Sequence, residues 1–116
     1  CWEGDSSGSF SSTTTNAEFG ARYEHGLVAR SDGALLIMGG KDSNSNILSD
    51  VWISTSLSYG HVDASTWRNL TMAAPWSPRY DFGALVRGDG RILIIGGITA
   101  GNNHADDVWC SSEGYE

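Results

Sequence analysis

The sequence predicts an all-β chain built from a repeated antiparallel unit, and three observations carry that expectation. Arg22–Thr55 aligns without a gap on Arg79–Ser112 at a period of 57 residues, with 15 of 34 positions identical. Each copy places Asp-Gly between two apolar runs, at Asp32-Gly33 and Asp89-Gly90, and this is a strong hairpin signal. The 116 residues include 15 Gly and only 2 Pro, are rich in Ser, Thr and Asn, and predict no helix. A fixed period of this size marks a stacked or radial architecture. In such an architecture one unit cannot bury its apolar face without neighbours on both sides.

The elements follow in order. Ser9–Thr14 reads as a degenerate strand, because a shift of 57 puts Phe10 opposite Trp67 and Phe19 opposite Trp76. Tyr23–Arg30 and Tyr80–Arg87 are first strands. Each leads into a two-residue turn of type I′, which needs positive φ at both central positions. The second strands, Ala34–Met38 and Arg91–Ile95, are continuously apolar after their first residues, as strands covered on both faces are. They end in Gly39-Gly40 and Gly96-Gly97, where missing side chains let a backbone or a ring come close. Polar loops, Lys41–Ser49 and Ile98–Asp106, lead to third strands Asp50–Thr55 and Asp107–Ser112 centred on Trp52 and Trp109. A fourth strand is complete once, at Thr66–Thr71 with Trp67. The organisation is therefore residues 1–21, a terminal strand with a connector; 22–78, unit 1; and 79–116, unit 2 lacking its fourth strand. The two ends are complementary, one starting on a fourth strand and the other stopping after a third.

Bulk properties narrow the partners. A net charge of −7, with Lys41 the single lysine, argues against a nucleic-acid partner, which needs a basic patch. No apolar run approaches the length of a membrane-spanning helix. Scarce Lys and abundant Ser and Thr lean towards an extracellular protein. The chain starts at Cys1 with no initiator Met, which reads as a mature or excised segment. Its two cysteines, Cys1 and Cys110, permit one disulfide, within or between chains.

An apolar run ending in Gly-Gly, then a polar loop, a Trp strand and a second Trp, together with a recurring Arg, resembles the kelch repeat of β-propellers. The residues that carry the resemblance are Ile37-Met38-Gly39-Gly40, Asp50-Val51-Trp52 and Trp67, then Ile94-Ile95-Gly96-Gly97 and Asp107-Val108-Trp109, with Arg22 and Arg79. Ser111-Ser112-Glu113-Gly114 also looks like a worn Asp-box turn of sialidase-type propellers. The resemblance implies one four-stranded kelch-type blade per unit, with Velcro-like ends. Trp52 and Trp109 would fill the gaps between blades, and Arg22 and Arg79 would bond backbone carbonyls or an acid at a blade junction. Closure takes about 4–8 blades, so two units need further blades or further copies, for instance three copies giving six. A Cys1–Cys110 disulfide would then staple the seam where a terminal strand meets the third strand of another copy.

Candidate chemistry is sparse. Asn69-Leu70-Thr71 is an N-glycosylation sequon. Asp42-Ser43-Asn44-Ser45-Asn46 resembles half of a calcium loop, but Ile47 and Ile53 stand where the glycine and the bidentate Glu belong. His25, His61 and His104 have no zinc spacing, and Phe82 replaces His25 in the other unit. Glu24 and Asp81 occupy equivalent positions, which suggests a repeated contact rather than a glycosidase pair. Trp2, Phe10, Trp67 and Trp76 could form a sugar platform or an inter-blade core, with Trp76 the least securely buried. No catalytic residue, metal site or cofactor is expected. The first expectation is a non-enzymatic extracellular structural module that assembles with copies of itself or with neighbouring blades. The alternative is a carbohydrate- or protein-binding fragment of a longer propeller, and after it a part of a sialidase- or galactose-oxidase-like enzyme.

Overall fold

A computed structural model of the chain describes residues 2–4, 10–12, 14–30, 33–54, 57–58, 61–62 and 67–111. The chain is all-β, with antiparallel sheets and a single short 3-10 turn at Ala100–Asn102 among the described residues. These sheets do not close into a barrel or a propeller among the described residues. Unit 1 forms the largest sheet. Gly26–Ala29 pairs with Leu35–Asp42, which pairs with Ile47–Ser54, which pairs with Trp67–Thr71. Arg22–Tyr23 pairs with the far end of Leu35–Asp42. Unit 2 forms a three-stranded sheet of Gly83–Val86, Ile92–Ile95 and Val108–Cys110.

The register repeats with the sequence. Gly26 lies opposite Met38 as Gly83 lies opposite Ile95, and Ile37 lies opposite Trp52 as Ile94 lies opposite Trp109. Backbone conformation repeats too. Glu24 and Asp81 have φ of 53° and 54°, and Ser45 and Asn102 have 65° and 59°. Side chains other than glycine rarely adopt this region, so its recurrence at equivalent positions shows that the same constraint acts in both units.

The hairpin loops differ from the two-residue turns expected. Arg87 N–H donates to Arg91 O at 2.8 Å and Gly90 N–H to Arg87 O at 2.9 Å, with positive φ at Gly90 but not at Gly88 or Asp89. This is a three-residue loop, a type I turn closed by a left-handed glycine. Asp89 does not need a left-handed conformation, because its carboxylate accepts the Arg91 N–H at 3.1 Å instead. Arg30, Gly33 and Ala34 repeat the two backbone bonds.

The terminal strand also pairs locally. Phe10–Ser12 is antiparallel to Trp2–Gly4. Closing so short a loop costs little entropy compared with reaching the far end of the chain. Leu57–Ser58 and His61–Val62 form a second small hairpin.

The main core lies between the two units. Val28, Leu36, Met38 and Val51 on one face of unit 1 meet Ile92 and Ile94 of unit 2, with Trp76 sealing the cluster. Trp76, expected to be the least buried tryptophan, is buried here because the connector between the units runs through the core rather than over it. A smaller cluster on the opposite face of unit 1 packs Ile37 and Trp67 with Phe19, Leu35 and Trp52. Leu35–Asp42 is consequently covered on both faces. Ile92–Ile95 is not, and Ile95 is exposed, since no described element lies on that side of unit 2.

Close approach explains two of the conserved-in-repeat glycines. A Cβ on Gly26 would lie 2.5 Å from the Phe82 ring, and one on Gly39 would lie 2.9 Å from it. A Cβ on Gly83, the repeat equivalent of Gly26, would meet nothing nearer than 3.6 Å. The two positions should therefore part company on substitution. Gly26→Ala should lower stability by about 1–3 kcal/mol, as overpacking does, while Gly83→Ala stays near neutral. Urea unfolding of the two variants checks this, and equal effects would mean that Phe82 is not seated on Gly26.

Candidate functional site

Each unit holds the same polar clamp. In unit 1, Arg22 Nη1 donates to Asp50 Oδ1 at 2.7 Å and to Gly39 O at 3.1 Å, and Nη2 donates to Asp50 Oδ2 at 3.0 Å. Nη2 also donates to Phe19 O. Trp52 Nε1 donates to the same Asp50 Oδ2 at 2.9 Å. In unit 2, Arg79 Nη1 donates to Asp107 Oδ1 at 2.6 Å and to Gly96 O at 2.8 Å, and Nη2 donates to Asp107 Oδ2 at 2.9 Å. Trp109 Nε1 donates to Asp107 Oδ2 at 2.8 Å. Ser77 adds its carbonyl and hydroxyl oxygens as acceptors for Arg79. The planar guanidinium matches a carboxylate with two parallel bonds, which fixes orientation as well as adding energy.

The clamp ties three parts of a unit together. The arginine precedes the first hairpin, and the glycine carbonyl lies within Leu35–Asp42 in unit 1 and just past Ile92–Ile95 in unit 2. The carboxylate and indole come from Ile47–Ser54 in unit 1 and from Asp107 and Trp109, just before and within Val108–Cys110, in unit 2. The glycines allow the fork. Gly39 and Gly96 have φ of 57° and 62°, turning their carbonyls towards the arginine. A second repeated contact fastens the strand ends, with Leu35 N–H donating to Ser54 Oγ and Ile92 N–H to Ser111 Oγ, both at 2.9 Å.

The electrostatics follow from these contacts. Burial pushes the Asp50 carboxyl up, but the hydrogen bonds from Arg22 and Trp52 outweigh it and hold the group below the usual carboxylate range. The hydrogen bonds from Arg79 and then Trp109 hold Asp107 well below that range. Both carboxylates are thus ionised and fully engaged with their own unit. Such a pair is chemically occupied and is not poised to move a proton on a substrate.

The other candidates are placed as follows. Asp42 accepts the backbone N–H of Asn44 and of Asn46, each at 2.9 Å, and the Asn46 amide at 3.1 Å. Its carboxylate closes its own loop, and the Asn46 bonds lower its pKa. No group of three or more His, Cys, Asp or Glu side chains could hold a metal ion among the described residues. Glu24 and Asp81 meet through their backbones, Asp81 N–H donating to Glu24 O at 2.8 Å. His25 is half-buried against Gly40, and burial and then Arg22 lower its pKa. His104 is exposed, and His61 lies in a hairpin described by its backbone. Lys41 stands 4.1 Å over the Tyr80 ring, a cation–π contact between the units.

Trp67 and Trp76 are buried, so neither ring offers a sugar platform. Phe19 meets Trp67 edge-on at 4.8 Å, and Trp76 is tilted against Phe82 at 5.9 Å. The side chains of Trp2 and Phe10 lie outside the described residues. Asn69 sits in Trp67–Thr71, partly buried, and its Nδ2 donates to Thr71 O at 3.3 Å. Cys110 is an exposed free thiol, while Cys1 lies outside the described residues. An apolar cleft opens where the units meet, lined by Met38, Val51, Trp76, Ile92, Ile94 and Trp109 among others.

Sequence reading singled out the arginines, the glycines and the tryptophans, and expected backbone carbonyls or an acid at a blade junction as the arginines' partners, without naming the acid, which lies within each unit. Asp50 and Asp107 were legible as identical positions of the repeat, and so were Ser54 and Ser111. Their roles were not, because a carboxylate or hydroxyl reveals its partner only when distant segments meet. No protein-family model and no curated protein matches the chain in sequence comparison.

Two predictions come from the clamp. Asp50→Ala should cost about 3–5 kcal/mol in urea unfolding, since it leaves the buried Arg22 charge without its counter-ion. A loss below 1 kcal/mol would show that the pair carries no structural weight. The second concerns acid. Both carboxyls have folded pKa values below the unfolded value of about 3.9, so their contribution is complete well above that pH and fades as pH falls through and below it. The urea midpoint should drop steeply between about pH 4.5 and pH 2.5, and less steeply in Asp50→Asn, where one of the two groups no longer titrates.

Proposed function

We propose that the chain is a non-enzymatic, extracellular structural module whose two units are kelch-like β-propeller blades that assemble with copies of themselves. One observation carries this reading. The polar groups that recur in both units are spent on holding each unit together, while unit 2 leaves the apolar residues Leu85, Ile95 and Val108 exposed. Exposed apolar clusters mark interaction surfaces. The Arg–Asp–Trp clamp and the Gly-Gly end of the second strand support the blade reading, because both recur at one period. A single lysine and the Asn69 sequon support secretion, and the exposed Cys110 thiol supports a bond to another chain.

Native mass spectrometry at increasing protein concentration, beside the same sample denatured with and without reductant, tests the reading. The expected result is a defined multimer, with a covalent linkage between chains that is lost on reduction. A monomer at every concentration would overturn self-assembly and leave the chain as part of a longer propeller.

A further inference from the structure

We propose that residues 10–29 of a second copy do for unit 2 what residues 67–86 do for unit 1, so that copies join head to tail. This rests on the module reading above and names its contact surfaces. Within one chain, residues 67–86 complete unit 1 in three ways. Trp67–Thr71 pairs with the outer edge of Ile47–Ser54, with Trp67 opposite Ser54. Trp67 is buried among Ile37, Phe19, Leu35 and Trp52. Trp76 and Phe82 then cover the far face, and the Phe82 ring rests on Gly26 and Gly39.

Unit 2 has the same three places, and none is filled by a described residue. Val108–Cys110 pairs with Ile92–Ile95 and has no second strand partner among the described residues. The cleft beside it is lined by Ile92, Ile94, Trp76 and Trp109. These are the repeat equivalents of Leu35, Ile37, Phe19 and Trp52, the residues that enclose Trp67. The cleft is therefore lined as the Trp67 site is, but no aromatic of the described residues fills it. The covered face tells the same story. Val28, Met38 and Val51 of unit 1 are 4%, 1% and 1% exposed, whereas their equivalents Leu85, Ile95 and Val108 are 45%, 40% and 60% exposed. Gly83 and Gly96 repeat the seat of Gly26 and Gly39, and no ring of the described residues rests on them.

The occupant is identified by the same period. Phe10 holds the place of Trp67 in the repeat, Phe19 that of Trp76, His25 that of Phe82 and Leu27 that of Ala84. Leu27 is 55% exposed, as the uncovered side of such a contact requires, although its equivalent Ala84 packs in the core. A chain cannot supply this segment to its own unit 2. Its Phe19 is packed against Trp67, on the face of unit 1 turned away from unit 2. The imidazole of His25 suits the glycine seat, because burial already disfavours its charged form. A heterologous contact of this kind leaves one face free at each end, so it propagates until a ring closes. The strand itself adds by edge pairing, in which main-chain bonds give affinity and a side-chain pocket gives specificity.

Two surface variants test the pairing. Ile95→Arg blocks the face of unit 2, and Leu27→Arg blocks the matching face of unit 1. Both sites are exposed, so each variant should keep the far-UV circular dichroism of the parent chain. Each alone should associate at least tenfold more weakly in sedimentation, about 1.4 kcal/mol. Mixed together, they should form a 1:1 dimer that grows no further, because each retains the face that the other lacks. A synthetic peptide of residues 67–86, in excess, should cap unit 2 and dissociate multimers of the parent chain. If the parent chain assembles but neither variant nor peptide affects it, this pairing is wrong and the module reading stands. If the parent chain stays monomeric, both fall together.

Discussion

The Arg–carboxylate fork is the contact on which the unit depends. A sheet of short strands has little to fix the angle at which its first strand meets its last. Arg22 solves this by gripping a carbonyl within the second strand and a carboxylate within the third. Arg79 grips the same two places in unit 2, with every offset in sequence preserved. A buried guanidinium is costly unless it is paired with a counter-charge of suitable geometry. That cost makes the fork a specifying device, because an alternative register of the strands would strand the charge.

With the two units fixed in one conformation, their contacts become comparable position by position. Unit 1 is sandwiched, by unit 2 on one face and by the Ala17–Phe19 segment with Trp67 on the other. Among the described residues, unit 2 is covered on one face alone. The difference in exposure between equivalent residues, all of them apolar, therefore follows from what packs on each unit and not from residue type. Phe82 illustrates the point. Its backbone packs on its own Gly97, while its ring reaches the glycines of the preceding unit. One residue thus serves both units.

Sequence alone made the period and the antiparallel hairpins legible, because these depend on local composition and spacing. The expected strand end at Gly-Gly holds in unit 2, whereas in unit 1 the strand runs on to Asp42 and the next begins at Ile47, inside the expected polar loop. The all-β class followed directly. What stayed hidden depended on distance. Asp50 was visible as a repeated residue, yet its bond to Arg22 spans 28 positions of chain. Trp76 lies in a Pro-flanked connector, where composition suggests exposure, and only the packing of two sheets reveals that the connector is core. The hairpin loops were misread for a different reason. Asp-Gly is shared by the two-residue turn and the three-residue loop, and the choice rests on whether φ is positive at Asp89 or only at Gly90.

The most direct measurement is amide hydrogen exchange on the intact chain across a wide range of concentration. It compares Val51–Ile53, a stretch of third strand paired on both edges, with its equivalent Val108–Cys110, paired on one. If unit 2 lacks only a neighbour of its own kind, its edge strand exchanges fast in dilute solution and approaches the protection of Val51–Ile53 as concentration rises. Exchange of Val108–Cys110 that stays fast at every concentration, while Val51–Ile53 stays protected, would contradict the account.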